Sequence, residues 1–367
     1  MKIVQCCGSR SWGGLEMQTL KISRELKNRG FNVFIFCRQE STLAAEGGKQ
    51  GIAVAPVFVN GNNYFRNVYR AFRFLQRQQP DVIHTHLSHD LWVIVPAMKM
   101  AGSRAKLFLT KRMASGVSKK DVLHRFLYNR IDRIFAISNY IKTSVLNTCP
   151  VPDERVVTMW NAISPEKYQY KPGDRAKVRE EFNIDAGTMV VGFIGRFSPG
   201  KGQPEFLRAA RIIKQEYKRP VTFLLVGGAS YGESEYEKEI RELAKQLSFT
   251  DDMIFTGFRK DIPRLLAAMD VLAFPSHEES FGNVLLEAMA MKVPVVASDS
   301  GGVPDIVING ETGILVPPKN AEKLAQGLLE LILNGDKRVS FAAAGRDRVE
   351  KYFNLERYMD TLETFYN

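Results

Sequence analysis

Along the 367 residues, short runs of β-branched and aromatic side chains alternate with longer stretches whose apolar positions recur every three or four residues. In the first half the runs KIVQCC, FNVFIFC, IAVAPVFV, DVIH, KLFLT and RIFAIS predict strands, and LEMQTLKISRELKNRG predicts a helix closed by Gly30. In the second half MVVGFIG, VTFLLVG, MIFTG, DVLAFPS, VPVVAS and TGILVP repeat the pattern. Strands alternating with helices build parallel sheets covered on both faces. The pattern lapses in NAISPEKYQYKPGDRAKVREEF, so the expected architecture is α/β, with two Rossmann-like doubly wound domains facing across a cleft. We place them at residues 1–165 and 166–351, with helix 352–367 crossing back onto the first. Ligands of such sheets bind beyond the carboxyl ends of the strands, which puts the expected site in the cleft.

Composition narrows the class. Hydrophobic content of 45% and charged content of 25% describe a soluble globular chain. No apolar run reaches the roughly 18 residues of a membrane span, and MKIVQCCGSR reads as a first buried strand rather than a leader. Cys6, Cys7, Cys37 and Cys149 lack metal-ligand spacing and read as reduced core thiols, which fits a cytoplasmic location. The net charge of +11 is unevenly spread: residues 1–165 hold 24 Lys and Arg against 10 Asp and Glu, the remainder 27 against 30. A first half at +14 implies an anionic partner.

Two stretches carry chemistry. In GFIGRFSPGKGQPEFLRAA a strand breaks into a glycine-rich loop bearing Arg196 and Lys201. A guanidinium fork and an ammonium beside backbone freed by glycine suit phosphate oxygens, although the Walker spacing is absent. In HEESFGNVLLEAMAMKVPVVASDSGG, Gly282 and Asn283 open a helix whose free N–H groups favour an anion. Glu287 lies a turn inside, where a carboxylate suits the two hydroxyls of a ribose, and Glu279 precedes the Phe281-Gly282 hinge. The plainer alternatives are two solvated cations on an ordinary turn, a dipole-complementing Glu287 and a surface Glu279.

The Glu-x7-Glu element Glu279–Glu287, with GRFSPGKG and NGETGILVPP, resembles the retaining glycosyltransferases of family 4, which have the GT-B fold, over nearly the whole chain. The resemblance implies that Arg196 and Lys201 hold a donor diphosphate, Glu287 the ribose and Glu279 the transferred sugar. It implies that Phe281, Gly282, Asn283 and Val284 offer backbone N–H groups, and that Gly257, Phe258 and Arg259 line the base. In the first half it matches Gly13 and Gly14 to a loop over the donor and His86 to an active-site histidine at a strand end. The chain departs from the family at Lys292, often Gly, at Asp305, often Glu, and in WNAIS, where Asn-Gly is commoner; TKRMASGVSKK matches no substrate pattern we can assign.

We read His84 and His86 as facing opposite sides of one strand, His84 into the sheet and His86 toward the cleft, so that no metal joins them; His277 is read as a donor-site or loop-capping residue. No Asp-x-Asp pair occurs, which favours a metal-free mechanism without a cofactor, the cations neutralising the leaving group. In YFRNVYRAFRFLQRQQ, Phe65, Val68, Tyr69, Phe72 and Leu75 form one helical stripe and Arg66, Arg70, Arg73 and Arg77 another. That helix is either packed on its domain or laid on anionic lipid at the inner face of the cytoplasmic membrane, and no nucleic-acid module is present. The expected activity is transfer, with retention, of a sugar from a nucleotide-diphosphate sugar to a lipid-linked or envelope glycan such as lipopolysaccharide. The alternatives are another GT-B enzyme, a sugar-nucleotide epimerase or phosphorylase, and a non-catalytic binding protein of the same fold.

Overall fold

In the computed structural model, which describes residues 1–59, 63–229 and 232–367, the chain forms two compact units. Unit 1 comprises Met1–Trp160 and Tyr358–Asn367, and unit 2 comprises Asn161–Arg357. The division therefore falls after Trp160 and again before Tyr358, within the last helix, rather than at 165 and 352.

The strands of unit 1 are β1 (Lys2–Cys6), β2 (Asn32–Arg38), β3 (Ala53–Phe58), β4 (Val82–Thr85), β5 (Lys106–Lys111), β6 (Arg133–Ala136) and β7 (Val156–Thr158). They form a sheet in the order β3-β2-β1-β4-β5-β6-β7, every pair parallel. Its helices are α1 (Gly14–Asn28), α2 (Thr42–Lys49), α3 (Tyr64–Gln78), α4 (Leu91–Met100), α5 (Val122–Asn129) and α6 (Asn139–Thr148). Gly30 follows α1 at φ +87°, as its place beyond a helix end requires. Strand β7 went unpredicted because its three residues at the sheet edge are too few for a period.

Unit 2 begins with α7 (Asp174–Glu181) and continues through β8 (Met189–Ile194), α8 (Gln203–Glu216), β9 (Val221–Val226), α9 (Ser234–Gln246), β10 (Met253–Gly257) and α10 (Ile262–Ala268). It then runs β11 (Val271–Phe274), α11 (Asn283–Ala290), β12 (Val295–Ser298), α12 (Val303–Ile306), β13 (Gly313–Val316), α13 (Ala321–Leu333) and α14 (Gly335–Tyr352). Helix α15 (Leu355–Tyr366) carries the chain back into unit 1. The second sheet is again parallel throughout, in the order β10-β9-β8-β11-β12-β13.

Both orders are doubly wound: the sheet grows outward from its first strand, then reverses. The reversal leaves one crevice per sheet, between β1 and β4 and between β8 and β11, where consecutive connections leave toward opposite faces. The sheet of unit 2 is apolar at its centre, burying Val191, Phe193, Leu225, Ala273 and Val296, whereas that of unit 1 buries Ile3, Val4, Ile83, Leu107 and Ile134 together with the polar Gln5 and His84. Cys6, Cys7, Cys37 and Cys149 are buried free thiols. Among the described residues no helix is long and apolar enough to cross a membrane.

Candidate active site

In unit 2 the crevice between β8 and β11 gathers three loops by their backbones. Gly202, at φ +82°, lies so close to the β11 loop that a Cβ there would meet the Pro275 carbonyl oxygen at 2.1 Å. His277 N donates to Gly200 O at 2.8 Å, so His277 ties these same two loops together. On the other flank Gly301, at φ +56°, leaves no room for a Cβ, which would stand 2.0 Å from Glu279 O, and Gly302 N donates to that oxygen at 2.8 Å. Glycine at 202 and 301 is thus a requirement of packing as well as of φ.

Within this frame Lys201 Nζ reaches Glu279 Oε2 at 2.6 Å, both side chains partly exposed. The two residues assigned to phosphate and to sugar are therefore partners. A partly solvated pair of this kind stabilises by only about 0–1 kcal/mol, so an arriving ligand can separate it at little cost. Arg196 is held through its carbonyl, which accepts from Gln203 Nε2 at 2.9 Å. Its guanidinium, 57% exposed, lies 3.6 Å from Glu233.

Helix α11 opens at Gly282, whose φ of +103° turns the chain into the helix. The eight residues bury Leu285, Leu286, Ala288, Met289 and Ala290, while Asn283, Val284 and Glu287 are half-buried on one face. The carboxylate set into an apolar helix is thereby explained: Glu287 stands one turn above Asn283 on the half-buried face, away from the apolar core. Phe281 is buried against Phe353, ring centroids 6.0 Å apart, so only its backbone is available to a ligand. At the helix end Lys292 adopts φ +58°, where the family often has glycine.

At the end of β10, Gly257 O accepts from Gly227 N at 3.0 Å and Phe258 is 76% exposed. Arg259, grouped with them from the sequence, is otherwise engaged. It donates from Nε and Nη2 to Asp261 at 2.8 and 2.7 Å and from Nη1 to Glu181 at 2.5 Å. These hydrogen bonds, Asp261 first, raise its pKa and hold Asp261 down at about 2.

In unit 1 the loop after β1 is fastened across the crevice to the turn after β4. Gly8 N donates to Asp90 Oδ2 at 2.8 Å, Arg38 Nε donates to Gly8 O at 2.8 Å, and Gly13 N donates to Glu16 Oε2 at 2.8 Å as α1 begins at Gly14. Burial pushes the Asp90 carboxyl up to about 7.

His84 is packed in the sheet as expected, but the expectation that the two histidines face opposite sides is overturned. Side chains alternate with period two, so His84 and His86 share a face, and their rings stack with centroids 4.6 Å apart. Both are buried, His86 at 2% exposure. His86 Nε2 meets Gln5 Oε1 at 2.7 Å, Gln5 Nε2 donates to the Tyr366 hydroxyl at 3.1 Å, and His84 bridges that hydroxyl at 2.6 Å and Thr110 Oγ1 at 2.7 Å. The network assigns Nε2–H tautomers to both rings and leaves buried His86 Nδ1 without a hydrogen-bond partner in the protein. Burial, foremost, holds both imidazoles neutral, His84 down at about 3 and His86 well below the usual histidine range.

The helical stripe of α3 is divided differently from its reading. Asn67, Val68, Ala71 and Leu75 are buried, whereas Phe65 at 85% and Tyr69 at 55% stand in solvent beside exposed Arg66, Arg73 and Arg77, with Arg70 half-buried. Residues unannounced by the sequence are Asp90 and Arg38 on Gly8, and Tyr168, whose phenol is held above its usual range by burial, first, and by the charge of Glu287.

Two doubly wound parallel sheets, each with a glycine-bearing loop at its switch point, place a ligand crevice at each reversal of strand order. The profile described as Glycosyl transferases group 1 matches residues 174–348, and that of Glycosyltransferase Family 4 matches residues 12–167. The D-inositol 3-phosphate glycosyltransferase of Rhodococcus erythropolis is 30% identical over 97% of this chain and 86% of its own. A capsular polysaccharide biosynthesis glycosyltransferase of Staphylococcus aureus, CapM, is 28% identical over 64% of this chain and 61% of its own. The crystal structure of Anabaena Alr3699/HepE in complex with UDP and glucose superposes with a TM-score of 0.86 at 26% identity, covering 100% of this chain and 99% of that one. The chain belongs to glycosyltransferase family 4 and is a glycosyltransferase with the GT-B fold.

Proposed function

We propose that the chain transfers a sugar from a nucleotide-diphosphate sugar, with retention of configuration and without a metal or cofactor, to a lipid-linked or envelope glycan. The observation that carries the donor assignment is the Lys201–Glu279 pair standing beside the N-terminus of α11, with Glu287 one turn further in. A diphosphate fits Arg196, Lys201 and the α11 N–H groups, a ribose fits Glu287, and an exposed Phe258 offers its ring to the base. The complex of HepE with UDP and glucose supports this reading.

In the reaction the bond between the anomeric carbon and the β-phosphate oxygen breaks as positive charge grows on the sugar ring. Arg196, Lys201 and the helix N-terminus stabilise the negative charge arriving on the phosphate without having to reorient. The acceptor oxygen bonds to the same face of the sugar, and its proton passes to the departing phosphate. Loss of product with EDTA, restored by Mg²⁺ or Mn²⁺, would remove the metal-free mechanism. The test is incubation with a panel of sugar nucleotides in excess EDTA. Release of nucleoside diphosphate with a product whose anomeric configuration, read by NMR, matches the donor supports the proposal; epimerisation, inversion or no turnover overturns it.

The acceptor reading rests on charge. Unit 1 holds 24 Lys and Arg against 12 Asp and Glu, +12, while unit 2 holds 27 against 28. The solvent-facing aromatics and arginines of α3 suit the peripheral face of an anionic bilayer, where each cation contributes about 1 kcal/mol and salt screens it. A second reading, a soluble phosphorylated acceptor, is favoured by the name of the Rhodococcus relative. Salt-reversible co-sedimentation with phosphatidylglycerol vesicles, lost when Arg66, Arg70, Arg73 and Arg77 become Gln, supports the membrane; no sedimentation at low salt leaves the soluble acceptor.

A further inference from the structure

The helices of unit 1 carry their carboxylates on one face of the sheet. In the order β3-β2-β1-β4-β5-β6-β7 the chain runs one way from β1 to β3 and the other way from β3 to β7. Right-handed crossovers therefore put α1 and α2 on one face and α3, α4, α5 and α6 side by side on the other. Helix α15 joins α1, where Arg29, at the end of α1, pairs with Asp360 at 2.6 Å and Glu363 at 2.8 Å. Helices α1, α2 and α15 carry Glu16, Glu25, Glu46, Glu356, Asp360 and Glu363, whereas α3 to α6 carry no Asp or Glu.

From Tyr64 to Thr148 the chain holds 15 Lys and Arg against 4 Asp and no Glu. Each of those aspartates accepts from a backbone N–H: Asp81 from Lys2, Asp90 from Gly8, Asp121 from His124 and Asp132 from Leu107, at 2.7 to 3.1 Å. Among the described residues Arg66, Arg73, Arg77, Lys99 and Arg125 have no carboxylate partner.

The same face exposes apolar side chains beside these cations. On α5, Val122 is 80%, Leu123 61% and Phe126 43% exposed. At about 3.6 residues per turn the three fall within roughly 100° of one another and form one ridge. Lys99 Nζ lies 5.3 Å from the centroid of the Phe126 ring. Between α4 and α5 an open groove of about 310 Å³ is lined by Val95, Met98 and Phe126, with Lys99 and Arg130 beside them. A soluble phosphate would use the cations and leave the ridge in water. A bilayer of anionic phospholipid uses both, its headgroups meeting the cations and its acyl boundary taking Val122, Leu123 and Phe126.

We infer that the α3–α6 face of unit 1 docks on an anionic bilayer with α5 as the element that enters it. The arginines of α3 supply attraction that salt screens, and the α5 ridge supplies apolar contact that salt leaves in place. This docking rests on the membrane reading for its partner, while the place of insertion is independent of the α3 arginines.

The experiment puts one environment-sensitive thiol dye on Leu123→Cys and, separately, on Ala45→Cys, an exposed position of α2 on the opposite face; the four native cysteines are buried. Each protein is mixed with phosphatidylglycerol or phosphatidylcholine vesicles, with and without brominated acyl chains. With phosphatidylglycerol, emission from position 123 is expected to shift to the blue and to be quenched by bromine, while position 45 reports water. Replacing Val122, Leu123 and Phe126 together by Ser should weaken co-sedimentation with phosphatidylglycerol about tenfold or more and abolish what survives at high salt. The thermal midpoint should stay at the wild-type value, since all three side chains are exposed. If the protein sediments with position 123 still in water, or the serine variant binds as wild type does, insertion by α5 falls and docking through α3 stands. If wild-type protein ignores phosphatidylglycerol even at low salt, both fall. A serine variant altered in self-association and not in vesicle binding would give the ridge to a second copy of the chain and overturn the inference.

Discussion

The two crevices of this molecule share a topology and differ in almost everything placed in them. Between β8 and β11 the side chains are charged and partly exposed: Lys201 and Glu279 at 2.6 Å, with Arg196 mostly in solvent. Between β1 and β4 they are buried: Gly8 is clamped by Asp90 and Arg38, and two stacked histidines are held neutral beneath. Parallel sheets of identical winding follow from the apolar pattern, which says nothing of what the loops carry. A crevice with separable charges can exchange its internal partners for others at little cost. One with neutral, internally bonded groups is built to keep its shape.

The largest effects should follow from the separable charges. Lys201→Ala and Arg196→Ala are each expected to lower kcat on the order of 10²-fold or more, measured at saturating donor. An effect confined to KM would make them ground-state binding groups and weaken the contrast. Next, Glu287→Gln should weaken nucleoside diphosphate about tenfold. Glu279→Gln should impair use of the sugar nucleotide yet leave free diphosphate binding unchanged or tighter, because Lys201 loses its neutralising partner. Equal losses of free diphosphate in both variants would sink the assignment.

The buried crevice should be visible in pH. His84 and His86 have folded pKa values below the unfolded value of about 6.5, so their neutral burial is fully compatible with folding above that pH and costs stability as pH falls. For His84 the loss continues to about pH 3, at about 1.4 kcal/mol per pH unit and per histidine. Asp90 opposes them. Its folded value of about 7 lies above the unfolded one, so its contribution is full below about pH 4 and is lost as pH rises to about 7. Thermal midpoints between pH 6.5 and 4 should therefore fall on acidification, and fall more steeply in Asp90→Asn. A variant no steeper than wild type would remove Asp90 from the account. The smallest effect returns to unit 2: Phe258→Ala should weaken nucleotide by roughly fivefold through lost stacking, about 1 kcal/mol. No change would leave the exposed ring without a role in base binding.

Much of the fold was legible because apolar period alone distinguishes strand from helix, and all strands but the three-residue β7 follow from it. The glycine-rich loop with its cations and the α11 terminus were legible as local motifs, since glycine, cation and helix start are consecutive in the chain. What was not legible depends on distance along the sequence. Arg259 is placed beside the base by its motif, yet Glu181 meets it from 78 residues away. Tyr168 sits in an aperiodic stretch with nothing to mark that the charge of Glu287 helps, after burial, to hold its phenol above the usual range. The reading of His84 and His86 on opposite faces failed for a different reason: two residues make one full repeat of a strand, so the shared face was in the sequence and was misread.

The return of α15 into unit 1 sets an order of assembly. The Tyr366 hydroxyl that bonds Gln5 and His84 lies downstream of the whole of unit 2, so a ribosome making this chain delivers it after unit 2 has emerged. Until then the first sheet to be synthesised contains a glutamine and a histidine each lacking one buried partner. The half of the molecule that is made first is therefore the half that is finished last.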